Sequence, residues 1–343
     1  QELKRARDQE IYRRHWAPLQ PPPGHHPGIA PSKADLDMAQ ALQAPYVQFW
    51  RSLPKFEPSL RLQDVQRVPY FKLQNWRSPA ELVTRPARPG DNESLYILCH
   101  HKTGQKLRGN MADGLPPGRF RVELQHEIVP NGTYKIAEGW RRLHMVRDPI
   151  DVIASGYRYH QFRWGTEVWS WGHMALQDPI CFECDDEDHD TIFDTCHQNC
   201  TYFELVNRLD ETAGIVTEAV SARHTLTSMA SLMSLLANDT KTLHLSFDLF
   251  KANYTQTTAC MFKFLGLEGD KAQLDKMLHE EMTVRDPHHI TSGQYDNTAL
   301  KAFLRNHPVW GPEFREVKEL MDGIFRRQAA LWGCPEREAE VED

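Results

Sequence analysis

Apolar residues come in short blocks along the middle of this chain. Leu95–His100, Arg121–Gln125, Leu143–Val146 and Thr242–Phe247 are brief runs bounded by turn residues or charge, the pattern of buried strands. Each is followed by a turn or a 3.6-residue period, and longer helical patterns occupy 149–163, 202–236, 249–265, 270–282 and 312–331. Strands alternating with helices predict an α/β fold with a central parallel sheet and crossover helices. The front end differs. A charged, helix-like start gives way to PLQPPPGHHPGIAP at 18–31, which excludes regular structure and reads as a stem or wrapping arm. The expected organisation is therefore an arm over 1–90, one domain over 91–335 and an acidic tail over 336–343.

Composition narrows the class only modestly. With 343 residues, 40% of them hydrophobic and 25% charged, the chain has enough apolar material for the core of one large domain. A formal charge of −7 argues against a general nucleic-acid binder, although an acidic protein can still carry a local basic funnel. No apolar run approaches the roughly 18 residues that span a bilayer. The chain opens on Gln1 rather than methionine, and a leader or membrane anchor upstream of it is expected.

Compartment enters through asparagine. Asn92, Asn131, Asn199, Asn238 and Asn253 each open an N-x-S/T sequon, five of the ten asparagines in the chain. Serine and threonine make up about a tenth of the residues, so chance places roughly one there, and the excess favours a glycosylated protein of the secretory pathway. Cys181, Cys184, Cys196 and Cys200 form C-x2-C-x11-C-x3-C, a spacing that fits a zinc knuckle or two disulfides. An oxidising lumen favours disulfides, and nesting Cys181 with Cys200 around Cys184 with Cys196 avoids a strained C-x2-C bond. Cys260 and Cys334 are placed to form a third bridge, which leaves Cys99 as a buried thiol within an apolar strand.

Two stretches carry chemistry. In LYILCHHKTGQKL at 95–107, a strand breaks into a Lys-Thr-Gly turn and resumes as a helix. Such a turn aims backbone N–H groups at an anion, the helix end adds partial positive charge, and Lys102 supplies a mobile full charge. In RRLHMVRDPIDVIASGYRYH at 141–160, Arg147 ends a strand and Pro149 suits the first turn of a helix. Asp148 and Asp151 stand at that helix's favourable end, and Ser155 follows Arg147 by about two turns. An arginine and a serine so arranged can grip one phosphate. Taken singly, each motif also fits a solvated turn lysine or a buried strand-capping arginine.

Together, strand–HKTG–helix followed by strand–RDPxDVxxSxY–helix resembles the two phosphate sites of sulfotransferases that use 3′-phosphoadenosine 5′-phosphosulfate (PAPS). The stretch LHLSFDLFKANYTQTTACMFKFLGL at 243–267 is similar, more weakly, to that family's late strand, turn and helix. The resemblance covers about 95–305 and implies a three-layer, P-loop-like domain. It implies that Lys102, Thr103, Gly104, Gln105, Lys106 and Leu107 cradle the 5′-phosphosulfate, and that Arg147 and Ser155 hold the 3′-phosphate, with PAP as product. The family usually has serine or threonine directly after the glycine, where this chain has Gln105 and Lys106. Glutamine offers an amide donor and lysine a charge in place of small hydroxyls.

An acceptor hydroxyl needs a base, and RVELQHEIV at 121–129 lies where the resemblance puts one. His126 is the first choice because imidazole titrates near neutrality, and Glu127 the second. Neighbours on a strand face opposite ways, so one of the two should look into the cleft. Trp164, Trp169 and Trp171 offer aromatic faces for an acceptor sugar or for the core, DDEDHD at 185–190 reads as a solvated loop, and HHITSG at 288–293 lacks the basic residue of the family's late loop. The expectation is a PAPS-dependent sulfotransferase of the Golgi or another secretory compartment, acting without a metal on a hydroxyl or amine of a carbohydrate or other small acceptor. A catalytically weak sulfotransferase-like binding protein, suggested by Gln105 and Lys106, is one alternative. A disulfide-stapled cell-surface recognition domain is the other.

Overall fold

The computed structural model describes residues 51–71, 82–85, 94–100, 102–126, 134–137, 140–162, 191–192, 202–270, 272, 275–276 and 296–335. Helix α1 (Leu60–Val65) is followed by β1 (Leu82–Arg85), β2 (Ser94–Cys99), α2 (Gln105–Gly114), β3 (Arg121–His126), β4 (Tyr134–Ala137) and β5 (Arg141–Val146). Then come α3 (Pro149–Phe162), α4 (Tyr202–Arg208), α5 (Glu211–Leu236), β6 (Thr242–Ser246), α6 (Phe247–Ala252), α7 (Tyr254–Leu265), α8 (Thr298–Arg305) and α9 (Trp310–Trp332). Four strands form one sheet in the order β3-β2-β5-β6, every pair parallel, while β1 and β4 make a separate parallel pair. The protein is thus an α/β protein with a central parallel sheet.

Strand period explains how the sheet is packed. Leu95, Ile97 and Cys99 alternate with Tyr96 and Leu98, and the two sets face opposite ways. The first set joins Leu143, Met145, Leu243 and Leu245 in a core built with Leu107 and Met111 of α2 and with Met261, Phe262 and Phe264 of α7. The second packs with Trp140 and with Leu232 and Leu236 of α5. Because both faces are covered, β2 is buried at all six positions and reads in sequence as a continuous apolar run. Gln328 of α9 closes the outer edge of β6: its carboxamide oxygen accepts from the His244 N–H at 3.0 Å and its amide donates to the His244 carbonyl at 2.9 Å. An edge strand satisfied in this way offers no pairing template at that point.

The chain divides into two compact units. One comprises Gln1–Val68, Ile153–Arg223 and Tyr295–Phe303, and the other Pro69–Val152, His224–Gln294 and Leu304–Asp343. The second holds the four-stranded sheet. Within the first, the buried Glu218 carboxylate accepts from the Tyr202 hydroxyl at 2.5 Å and pairs with His160 Nδ1 at 2.8 Å. Gly156 is the residue that lets it in, because a Cβ there would run into that carboxylate.

Strand and helix ends depart from the sequence pattern where a side chain caps a helix. Ser246 accepts from the Leu249 N–H, so β6 stops at Ser246 and Phe247 opens α6. Asp210 accepts from the Ala213 N–H at 2.8 Å and starts α5, which splits the long 202–236 pattern into α4 and α5. Cys260 and Cys334 are joined as a disulfide with Cα atoms 4.8 Å apart, and Cys99 is a buried thiol outside any disulfide. The motif Cys181–Cys200, the tryptophans 164, 169 and 171, and the 185–190 and 288–293 stretches lie outside the described residues. No helix among the described residues is long and apolar enough to cross a membrane.

Candidate functional site

The turn after β2 is built on itself. The Thr103 hydroxyl accepts from the His100 N–H and donates to the His100 carbonyl, both at 2.8 Å, and the Thr103 N–H also reaches that carbonyl at 3.1 Å. Lys102 at the turn's tip has a left-handed backbone, with φ 58°. Gly104 then takes φ 117° as the residue before α2, a conformation that side chains avoid. Its α-hydrogen faces a crowded wall, since an added Cβ would lie 3.0 Å from Met145 Cε and 3.3 Å from Phe247 Cδ2. The first bond within the helix runs from the Arg108 N–H to the Gly104 carbonyl at 2.9 Å. That geometry leaves the amides of Gln105, Lys106 and Leu107 as the helix's open donors.

Arg147 meets this turn from β5. The residue is 5% exposed, and its guanidinium donates from Nη1 to the Lys102 carbonyl at 3.3 Å and stands over the Phe247 ring at 5.0 Å from the centroid. Nε faces the Asp248 carboxylate at 3.5 Å, an ion-pair separation rather than a hydrogen bond, and is buried with no hydrogen-bond partner. Asp148 is committed elsewhere: its carboxylate accepts from the Ile150 N–H at 2.9 Å and caps α3.

Strand order explains why these two loops meet. From β2 the chain crosses through α2 to β3 on one side, whereas β6 lies on the far side of β5. The carboxyl ends of β2 and β5, paired directly over Leu95–Leu98, therefore carry loops that diverge, and such a switch point opens a crevice above the sheet. The sheet thus brings Lys102, Thr103, Gly104, Leu107 and Arg147 to one place. Thr103, however, has already used its hydroxyl proton and its N–H inside the turn. Leu107 sends its side chain into the core and offers its amide alone.

Ser155 is buried on α3 and belongs to the first compact unit. His126 is the last residue of β3, in register with Cys99, while its side chain and those of Gln105 and Lys106 lie outside the described set, as does Glu127.

The sequence pattern overlooked three histidines next to the turn. His144 of β5 pairs in register with His244 of β6, and His100 follows Leu98 by two on the same face of β2. All three are buried, at 0%, 3% and 1% exposure. Nε2 of His100 lies 2.9 Å from Nε2 of His144, and Nδ1 of His144 lies 3.0 Å from Nδ1 of His244. Desolvation, aided by the neighbouring rings, holds His144 well below the usual imidazole range, and burial pulls His244 down to about 4. The available signal was a histidine set between apolar neighbours in two buried strands, RRLHMV and TLHLS. The rings bond one another directly, and among the described residues no cluster of His, Cys, Asp or Glu could hold a metal ion.

Comparison of the chain with protein-family models, curated proteins and solved structures returns no match.

Proposed function

We propose that this chain is a PAPS-dependent sulfotransferase of the secretory pathway, acting on a hydroxyl or amine of a carbohydrate or other small acceptor. The observation that carries the reading is the meeting of the Lys102 turn with Arg147 at the switch point between β2 and β5. The residues there fit an anionic nucleotide on two counts. Arg147 keeps a buried Nε without a hydrogen-bond partner, a costly arrangement that a phosphate oxygen would relieve. Gly104, at φ 117°, makes the turn that opens α2 on its unpaired N–H groups, which suit an anion. In this reading the sheet and its helices form a three-layer, P-loop-like domain, with residues 1–90 as its arm.

PAPS, when bound, supplies the sulfuryl group that an acceptor receives. Lys102 and the amides of Gln105, Lys106 and Leu107 would hold its 5′ end, and Arg147 the 3′-phosphate. Lys102 supplies positive charge where transfer of a sulfuryl group makes negative charge grow, which favours the transition state over the ground state. His126, or Glu127 in its place, would take the acceptor proton. Exposure of the sequon residues Asn238 and Asn253 and the Cys260–Cys334 disulfide support an oxidising, glycosylating compartment.

Thr103 supports a second reading. Its hydroxyl and N–H are consumed within the turn, so the cradle has fewer donors than the motif suggests, as a nucleotide-binding protein with weak or absent transfer would tolerate. Calorimetry with PAP, followed by transfer from labelled PAPS onto mixed carbohydrate and phenolic acceptors, separates the two. Arg147→Ala should weaken PAP by roughly 10- to 150-fold, the 1.5–3 kcal/mol of a charge-assisted contact. Binding without transfer to any acceptor selects the second reading. Wild-type protein that binds PAP no better than the folded variant refutes both.

A further inference from the structure

Three imidazoles in the apolar interior of a sheet are an expensive substitute for leucine unless each ring nitrogen has a defined partner. Here the partners of five of the six ring nitrogens fix a direction. Nε2 of His244 lies 3.4 Å from the Leu236 carbonyl, which can only accept, so that nitrogen carries the proton. A neutral His244 then presents a lone pair at Nδ1, and His144 must donate to it from its own Nδ1. The remaining nitrogen of a neutral His144, Nε2, accepts in turn from Nε2–H of His100. One tautomer is therefore assigned at every ring, and the N–H bonds all point from β2 towards α5. The Gln328 carboxamide holds the His244 backbone on both sides and anchors the far end.

The near end is the anion turn. His100 supplies both the N–H that Thr103 accepts and the carbonyl that the Thr103 hydroxyl and N–H seek, so all three bonds that close the turn converge on its backbone. A shift of the His100 Cα that accompanied loss of the ring's anchor would move that backbone, and with it the bonds that close the turn.

We infer that the His100–His144–His244 chain positions the Lys102 turn, with His144 acting as a positioning residue that sets the amides an anion would meet without touching the anion itself. This rests on the anion-site reading of the turn for its purpose, though not for its geometry. A polar chain confers something that leucines of similar volume would not: an orientation for His100 fixed by hydrogen-bond direction as well as by packing.

Two measurements on the full chain test it. Imidazole ¹⁵N spectra of the unaltered protein at neutral pH should show protons at Nε2 of His244, Nδ1 of His144 and Nε2 of His100. Any other pattern, or a charged ring among the three, overturns the inference, and this holds even where a variant does not fold. Amide hydrogen exchange supplies the second readout. His144→Leu, which removes donor and acceptor, should speed exchange at His100 and Thr103 at least ten-fold, leave α9 unchanged and lower PAP affinity about ten-fold. His144→Gln, which keeps one donor and one acceptor, should restore both to within about three-fold of wild type. Unaltered exchange at the turn, or equal acceleration throughout the second unit, refutes the positioning role. Wild-type protein that fails to bind PAP refutes the transferase reading alone, and the exchange and tautomer results still decide the chain.

Discussion

Two glycines five residues apart, Gly104 and Gly109, should respond to alanine with opposite signs. Gly104 stands just before α2 at φ 117° and ψ 39°. Placing an L-residue there costs about 1–3 kcal/mol in backbone strain. Its Cβ would also press on Met145 Cε at 3.0 Å and Phe247 Cδ2 at 3.3 Å. Met145 is fully buried, so part of an overpacking cost of about 1–3 kcal/mol adds to the strain. Gly104→Ala should therefore destabilise the sheet-bearing unit by about 2–4 kcal/mol. Gly109 lies within α2 itself, and nothing stands within 4 Å of a Cβ added there. Gly109→Ala should stabilise by about 0.5–1 kcal/mol, the ordinary gain at an open helical site. Hydrogen exchange at β2 and β5 amides across a urea series reads the opening free energy of that unit by itself. PAP affinity should fall with Gly104→Ala, because strain at φ is relieved only by turning the backbone that presents the helix amides. Equal stabilities for the two variants would refute the steric argument. A destabilised Gly104→Ala protein with full PAP affinity would show that the turn is not the cradle.

Acid should weaken the same unit. A buried His244 whose folded value is about 4 against 6.5 unfolded means that the unfolded chain binds more protons between those limits. Stability is then complete above about pH 6.5 and declines as pH falls towards 4. The His244 difference amounts to roughly 3 kcal/mol, and His144 adds in the same direction. A pH series of urea midpoints checks this, and a profile that is flat from 6.5 to 4 contradicts it. The disulfide makes a separate prediction: it joins residues 74 apart, for which chain entropy gives about 4 kcal/mol. Cys260→Ala with Cys334→Ala should lower stability by about that amount, and non-reducing peptide maps that show both thiols free would remove its basis.

Legibility in the sequence followed locality. β2 and β5 were readable because burial on both faces leaves apolar runs, and α3 because Asp148 and Pro149 form a capping pair that sterics recognise in any context. The parallel pairing was readable from alternation, whereas the order β3-β2-β5-β6 was not, since nothing local says on which side of β2 a crossover lands. The same holds at the site. The turn and Arg147 announce themselves as motifs, but Asp248 and Phe247, which hold the guanidinium, arrive from beyond β6. His144 and His244 looked like isolated polar residues because their meeting depends on a register between distant strands. Ser246 and Asp210 did carry a local signal as helix caps, and the long helical period around them masked it. The division into units falls inside α3, between Val152 and Ile153, where helical periodicity gives no sign of a boundary.

The all-parallel sheet has a kinetic consequence. A parallel pair cannot zip from a tight turn; it waits for its crossover to close, and Val146 finds Ser246 only after α3, α4 and α5 have been made. Until β6 docks, LHMV has an open side, and LYILC stays open until β3 and β5 reach it; both are uncharged and β-prone, the kind of segment that recruits another chain. Arg141 and Arg142 at the start of β5 place charge beside LHMV, Lys241 places it beside β6, and both act as gatekeepers against such pairing. Refolding from denaturant is consequently a race between strand docking and aggregation, and yield should rise as the protein is diluted.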